Sequence, residues 1–145
     1  MCLRYSQDIL QSKVLIFILE LSDILDRENH FPSPNESAKY QRLFADFLRM
    51  LPEHIRREHT VTFYAGLLNI TPQYLRRIVR GLSGRSAYQI ISDYLNREVC
   101  KLLLETSLTL QEIADELNFS DQAVLSKFFK RCNGVSPLKY RNEQK

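Results

Sequence analysis

The sequence predicts an all-α chain in which two copies of a short helix-turn-helix unit flank one long helix, with one or two additional helices ahead of them. Three observations predict it. First, Ala65, Leu68, Asn69, Ile70 and Thr71 recur as Ala114, Leu117, Asn118, Phe119 and Ser120 at an offset of 49 residues. Tyr74, Leu75, Ile78, Val79, Gly84 and Ser86 then recur as Val124, Leu125, Phe128, Phe129, Gly134 and Ser136 at an offset of 50. Second, apolar residues in each copy follow helical spacing and are interrupted by an asparagine, which tolerates the left-handed backbone of a tight turn. Third, Ala87 to Glu105 contains no glycine or proline. At ~1.5 Å per residue such a helix spans about 28 Å.

Residues 9–26 read as a helix. Val14 to Leu19 is an unbroken apolar run followed by Leu21, Ile24 and Leu25, a face too wide for a lone surface helix and too short for a membrane span. It needs a partner surface. Arg27 to Ser37 carries two prolines among Asn and Ser and reads as a linker. Ser37 is the expected cap of the next helix, whose stripe is Tyr40, Leu43, Phe44, Phe47, Leu48 and Leu51. Pro52 removes one intrahelical bond, so a kink or break is expected near Met50 to Leu51, with Ile55 resuming the stripe.

The first copy begins at Thr60. Thr71 caps its second helix and Pro72 occupies the first helical position, leaving Gln73, Arg76, Arg77 and Arg80 as polar side chains. The second copy opens on Thr109-Leu110-Gln111-Glu112, a capping box, with Leu110, Ile113, Ala114 and Leu117 as its apolar face. Ser120 is the expected cap of the next helix, Asp121 to about Cys132, which is expected to bury Val124, Leu125, Phe128 and Phe129. Gln122, Ala123, Ser126, Lys127, Lys130 and Arg131 are left near or on its other faces. Asn133-Gly134 closes that helix, and Ser136-Pro137 opens one more.

Composition bounds the function. With 145 residues and 44% hydrophobic side chains, there is enough chain for one ordinary domain or two very small ones. No signal peptide is visible, and Cys2, Cys100 and Cys132 lack C-x-x-C spacing, so neither secretion, a disulfide framework nor a zinc site is expected. His30, His54 and His59 are scattered, and no G-x-S-x-G or Walker A motif occurs, so no enzyme, cofactor or metal is expected. The net charge of +3 is unevenly spread. Residues 56–101 carry eight basic and three acidic side chains and residues 120–145 six and two, while residues 102–119 carry four acids and no base. Two basic blocks separated by an acidic helix suit two surfaces facing phosphates.

The ending Phe119-Ser120, Gln122, Ser126-Lys127, Phe129-Lys130-Arg131, Gly134, Ser136-Pro137 and Tyr140-Arg141, with the duplication before it, resembles the C-terminal DNA-binding domain of AraC/XylS-type transcription regulators. The resemblance covers Val61 to Arg141. It implies a bacterial, cytoplasmic regulator of the activator kind that binds double-stranded promoter DNA through two recognition helices in adjacent major grooves and contacts RNA polymerase. Carried over by position, the base readers are Gln73, Arg76 and Arg77 in the first helix and Gln122, Ala123, Ser126 and Lys127 in the second. Arg80, Lys130, Arg131 and Arg141 are assigned to phosphates, being farther along the helices or beyond them.

The implied organisation is an apolar helix and linker over residues 1–36 and a DNA-binding domain over 37–145. The latter holds one helix-turn-helix at about 60–81, the linker helix at about 87–105 and a second helix-turn-helix at about 109–132. The first segment reads as the last helix of an N-terminal sensor domain or, alternatively, as the homodimerisation element of a short regulator. Three departures from the family pattern stand out. Asn118 replaces a frequent glycine, Val124 and Leu125 replace an aromatic pair, and Leu95 and Val99 occupy positions where the family frequently has Arg and Ala. The rival class is a helical protein-interaction module without specific DNA binding.

Overall fold

The computed structural model describes residues 13–19, 21 and 34–144, and every regular element among them is helical. The chain divides into two compact units, Met1–Lys39 and Tyr40–Lys145. In the first, residues 13–19 and 21 are helical, and the side chains of Val14 to Leu19 and Leu21 are 40–61% exposed. The rest of the expected helix 9–26, the linker up to residue 33 and His30 and Cys2 lie outside the described residues. No described helix is long and apolar enough to cross a membrane.

The elements from residue 34 onward are α1 (Pro34–His54), α2 (Val61–Leu67), α3 (Pro72–Ser83), α4 (Ala87–Glu105), α5 (Leu110–Glu116), α6 (Gln122–Asn133) and α7 (Pro137–Glu143). Two boundaries differ from expectation. Among the described residues α1 is already helical at Pro34, so Ser37 lies inside the helix rather than capping it. Pro52 does not break α1. It sits in the last turn, the helix ends two residues later, and Ile55 N still bonds Leu51 O at 2.9 Å.

The two copies share their local chemistry. Thr60 accepts from Phe63 N and Thr109 from Glu112 N, each starting the first helix of its copy, and at Thr109 the reciprocal Glu112 bond completes the capping box. The turns match atom for atom. Ile70 N bonds Ala65 O at 3.1 Å and Phe119 N bonds Ala114 O at 2.8 Å, while Asn69 (φ 54) and Asn118 (φ 57) both take the left-handed conformation that asparagine tolerates. The one-residue insertion in the second copy can be placed. Thr71 caps α3, whereas α6 is capped by Asp121, not Ser120, its Oδ1 accepting from Val124 N at 2.8 Å. Ser120 is the extra residue. Gly84 (φ 71) and Gly134 (φ 78) end the two second helices, each donating to the carbonyl four residues back.

A single core runs through both copies. Phe47, Leu51 and Ile55 of the α1 region meet Tyr64, Ala65, Leu75 and Val79 of the first copy, and Ile113, Ala114, Leu125 and Phe129 fill the second, all essentially inaccessible to solvent. At about 1.5–3 kcal/mol for each large apolar side chain removed from water, this cluster dominates the stability of the second unit. α4 joins the halves through Ile90, Ile91, Leu95, Val99, Leu102 and Leu103. Leu95 and Val99, the departures from the family pattern, are therefore core residues. Val124 was expected to be buried and is 43% exposed. Its first-copy counterpart, Tyr74, is half-buried because Tyr40 of α1 lies edge-on against it at 5.8 Å.

Candidate nucleic-acid interface

α3 and α6 are the second helices of the two copies, and their inward faces are fixed by Leu75, Ile78 and Val79 in one and Leu125, Phe128 and Phe129 in the other. Helical geometry then sends the intervening positions outward. Gln73, Arg76, Arg77 and Arg80 on α3 are exposed, as are Gln122, Ala123, Lys127, Lys130 and Arg131 on α6; Ser126 is half-buried. The reading positions carried over from the family are thus brought together on two outward helix faces, none turned into the core.

The cations on these faces are largely uncommitted. Among the described residues, Arg76, Arg77, Arg80, Lys127 and Lys130 have no ion-pair partner, whereas Arg49, Arg85 and Lys139 elsewhere each have one and Arg56 has two. Arg77 lies over the ring of Tyr74, its guanidinium carbon 5.5 Å from the centroid, which restricts the arginine without neutralising it. An unpaired guanidinium on an exposed helix face retains its planar set of donors for phosphate oxygens or base edges.

Two expected phosphate residues are engaged within the protein. Arg131 donates to the Tyr88 hydroxyl at 2.8 Å and lies over Phe128, tying the end of α6 to the start of α4. Arg141 differs more from expectation. Its Nε donates to Leu103 O and its Nη2 to Leu108 O, both at 2.8 Å, so two of its donors hold the link between α4 and α5. The two carbonyls anchor the guanidinium beneath α7.

Several site-supporting contacts were not anticipated from the sequence. Asn96 on α4 and Asn133 at the end of α6 exchange amide hydrogen bonds of 3.1 and 2.7 Å, and Asn133 also donates to Phe129 O at 2.9 Å. This pair fixes the rotation of α6 against α4. Near the start of the first copy, burial lowers the pKa of His59 while the Ile55 carbonyl, Glu58 and the Leu117 carbonyl oppose the shift, and its ring lies 5.4 Å from that of Phe119. Tyr64 is pushed up to about 12 by burial and by Glu58, whose carbonyl accepts its hydroxyl at 2.9 Å. No group of three metal-ligating side chains occurs among the described residues.

Comparison with known proteins bears on this arrangement. A family model described as a helix-turn-helix domain matches residues 64–143. The HTH-type transcriptional regulator YtdP of Bacillus subtilis is 24% identical over 139 residues, covering 88% of this chain and 18% of that protein. The chain spans between 18% and 36% of the length of the first curated relatives it matches. Among solved structures, the C-terminal domain of AraT, a response regulator from Geobacillus stearothermophilus, superposes with a TM-score of 0.65 at 28% identity, covering 70% of this chain and 84% of that one. The DNA-binding domain of AdpA, a global transcriptional factor solved with a target DNA, superposes with a TM-score of 0.62 at 23% identity over 69% of this chain and 90% of that one, a likeness of fold. With its duplicated unit, two outward basic helices and a family match across more than half its length, the chain belongs to the AraC-type helix-turn-helix family of DNA-binding transcription regulators.

Proposed function

We propose that this chain reads a two-part site on double-stranded promoter DNA, with α3 and α6 entering successive major grooves, and that it activates transcription by contacting RNA polymerase in the bacterial cytoplasm. The observation that carries the reading is the pairing of two equivalent helices whose exposed faces hold unpaired Arg and Lys side chains. In this reading Gln73, Arg76 and Arg77 address bases in one half and Gln122, Ala123, Ser126 and Lys127 in the other. Arg80, Lys130 and Arg131 grip phosphates. Successive grooves on one side of a duplex lie about 34 Å apart, and the 19 residues of α4 supply about 28 Å of that reach. The solved complex of AdpA's DNA-binding domain with a target DNA supports the same use of the fold.

Homodimerisation through the exposed apolar residues 14–19 and 21 belongs to the same proposal, because a run of that width is stable in water only when covered. Selection of bound duplexes from a random pool tests the central reading. Two short motifs about one helical turn apart are the expected result. Recovery of no motif, with retention on DNA insensitive to salt, overturns it, since neutralising phosphates gives a log-linear loss of affinity with salt.

A further inference from the structure

Among the described residues, α4 is not alone in joining the two copies. The segment between α1 and α2 joins them as well. Arg56 places its Nε 2.9 Å from Glu98 Oε2 on α4 and its Nη1 3.2 Å from Glu116 Oε1 at the end of α5. The carbonyl of Arg57 accepts from Asn118 Nδ2 at 2.8 Å, and the His59 ring packs against Phe119. Within four residues, this segment meets the linker helix and the turn of the second copy, across sequence separations of 42 to 61.

Asn118 is the informative member. Its φ of 57 would suit glycine, so its side chain is dispensable for the turn itself. In the first copy Asn69 takes the same backbone conformation, φ 54. The Asn118 amide also reaches the Arg57 carbonyl, in the segment that leads into the first copy. The ion pairs of Arg56 are 25–52% exposed and add little to overall stability. Their placement matters more than their strength. Two bodies joined by one helix can still swing as that helix bends, whereas a second attachment away from its axis removes that freedom.

We infer that Arg56, the Arg57 carbonyl, His59 and Asn118 form a bracket that fixes the second reading helix relative to the first, and so sets the base-pair spacing the chain accepts between the two parts of its site. The inference rests on the two-part reading proposed above. One added base pair shifts a half-site by about 3.4 Å and rotates it by about 35°, an error that a braced pair of helices rejects and a hinged pair follows. Arg56 and Asn118 are positioning residues in this scheme and need not touch DNA.

The test uses the full chain, the duplex selected by the wild type, and duplexes with one base pair inserted or removed between its two motifs. Asn118→Gly keeps the turn and deletes the amide; Arg56→Gln deletes the charge. In the double variant the preference for the selected spacing over the altered ones is expected to fall about threefold to tenfold, while binding to a single motif stays unchanged. Residual dipolar couplings of the DNA-free protein should show the α3 and α6 amides reoriented relative to each other. An unaltered spacing preference together with unaltered couplings overturns the bracket. Should the wild type select no duplex, the two-part reading fails by itself, and the couplings alone still decide whether the bracket orients the two helices.

Discussion

Arg141 separates a structural clamp from a phosphate contact, and its replacement gives opposite results for the two. Its guanidinium donates to the carbonyls of Leu103 and Leu108 at 2.8 Å each, bracing the turn that leads from α4 into α5. Arg141→Met keeps most of the aliphatic stem and removes the donors. Hydrogen bonds from a charged group are worth about 1.5–3 kcal/mol each, but Arg141 is only half-buried and water can replace part of what is lost. A net cost of about 2 kcal/mol follows. For a chain of this size that lowers the melting temperature by about 4–8 °C.

The assay is thermal unfolding followed by far-ultraviolet circular dichroism, paired with DNA affinity measured across salt concentrations well below the transition. Arg141→Lys sharpens the comparison. A lysine satisfies a phosphate as a point charge but cannot present a planar fork to two carbonyls. The clamp therefore predicts that both variants lose stability and keep the wild-type salt dependence. Unchanged melting in both, with the salt slope of Arg141→Met reduced by about one, would refute it.

Arg77→Ala and Lys127→Ala should each weaken binding to the selected duplex by about 1–3 kcal/mol with little effect on random DNA; an equal loss on both, measured by anisotropy titration, demotes the residue to a backbone contact. Phe129 is fully buried, with the Tyr140 ring edge-on at 5.2 Å, so Phe129→Ala should cost about 3–5 kcal/mol in urea unfolding, and a loss below 1 kcal/mol would show that the second copy is not packed as described. For His59, burial holds the folded pKa below the ordinary 6.5, so the unfolded chain takes up the proton first. Its contribution to stability is constant above 6.5 and declines as pH falls from there toward the folded value; a titration midpoint at or above 6.5 by NMR contradicts this.

What could be read directly from the sequence was chemistry confined to a few neighbouring residues. The capping box at Thr109 and Glu112, the threonine cap and proline start of α3, and the glycine ends at Gly84 and Gly134 each involve groups within four positions of one another. The all-helical tandem architecture followed because the same local grammar appears twice. Where two adjacent residues could do one job, the sequence was ambiguous. Ser120 and Asp121 can both cap a helix, and only the backbone shows that Asp121 does so while Ser120 is the inserted residue.

Long-range polar contacts were illegible for a different reason: nothing in the spacing of a charged residue records its partner. Arg56, Arg85 and Arg141 count in the sequence like Arg76, Arg77 and Arg80. In the fold, Arg56 is shared by Glu98 and Glu116, Arg85 is paired with Asp93, and Arg141 is held by backbone carbonyls. The basic blocks at 56–101 and 120–145 therefore overstate the charge free to meet phosphates, because several of their arginines organise the protein instead. Among the described residues, Arg76, Arg77, Arg80, Lys127 and Lys130 on the exposed faces of α3 and α6 take part in no ion pair, nor do Arg57, Arg97 and Lys101 elsewhere in the first block. Folding thus commits part of the positive charge within the protein while leaving five unpaired cations on two equivalent helix faces, and this placement, rather than the net charge of +3, gives an anionic duplex a reason to approach those faces.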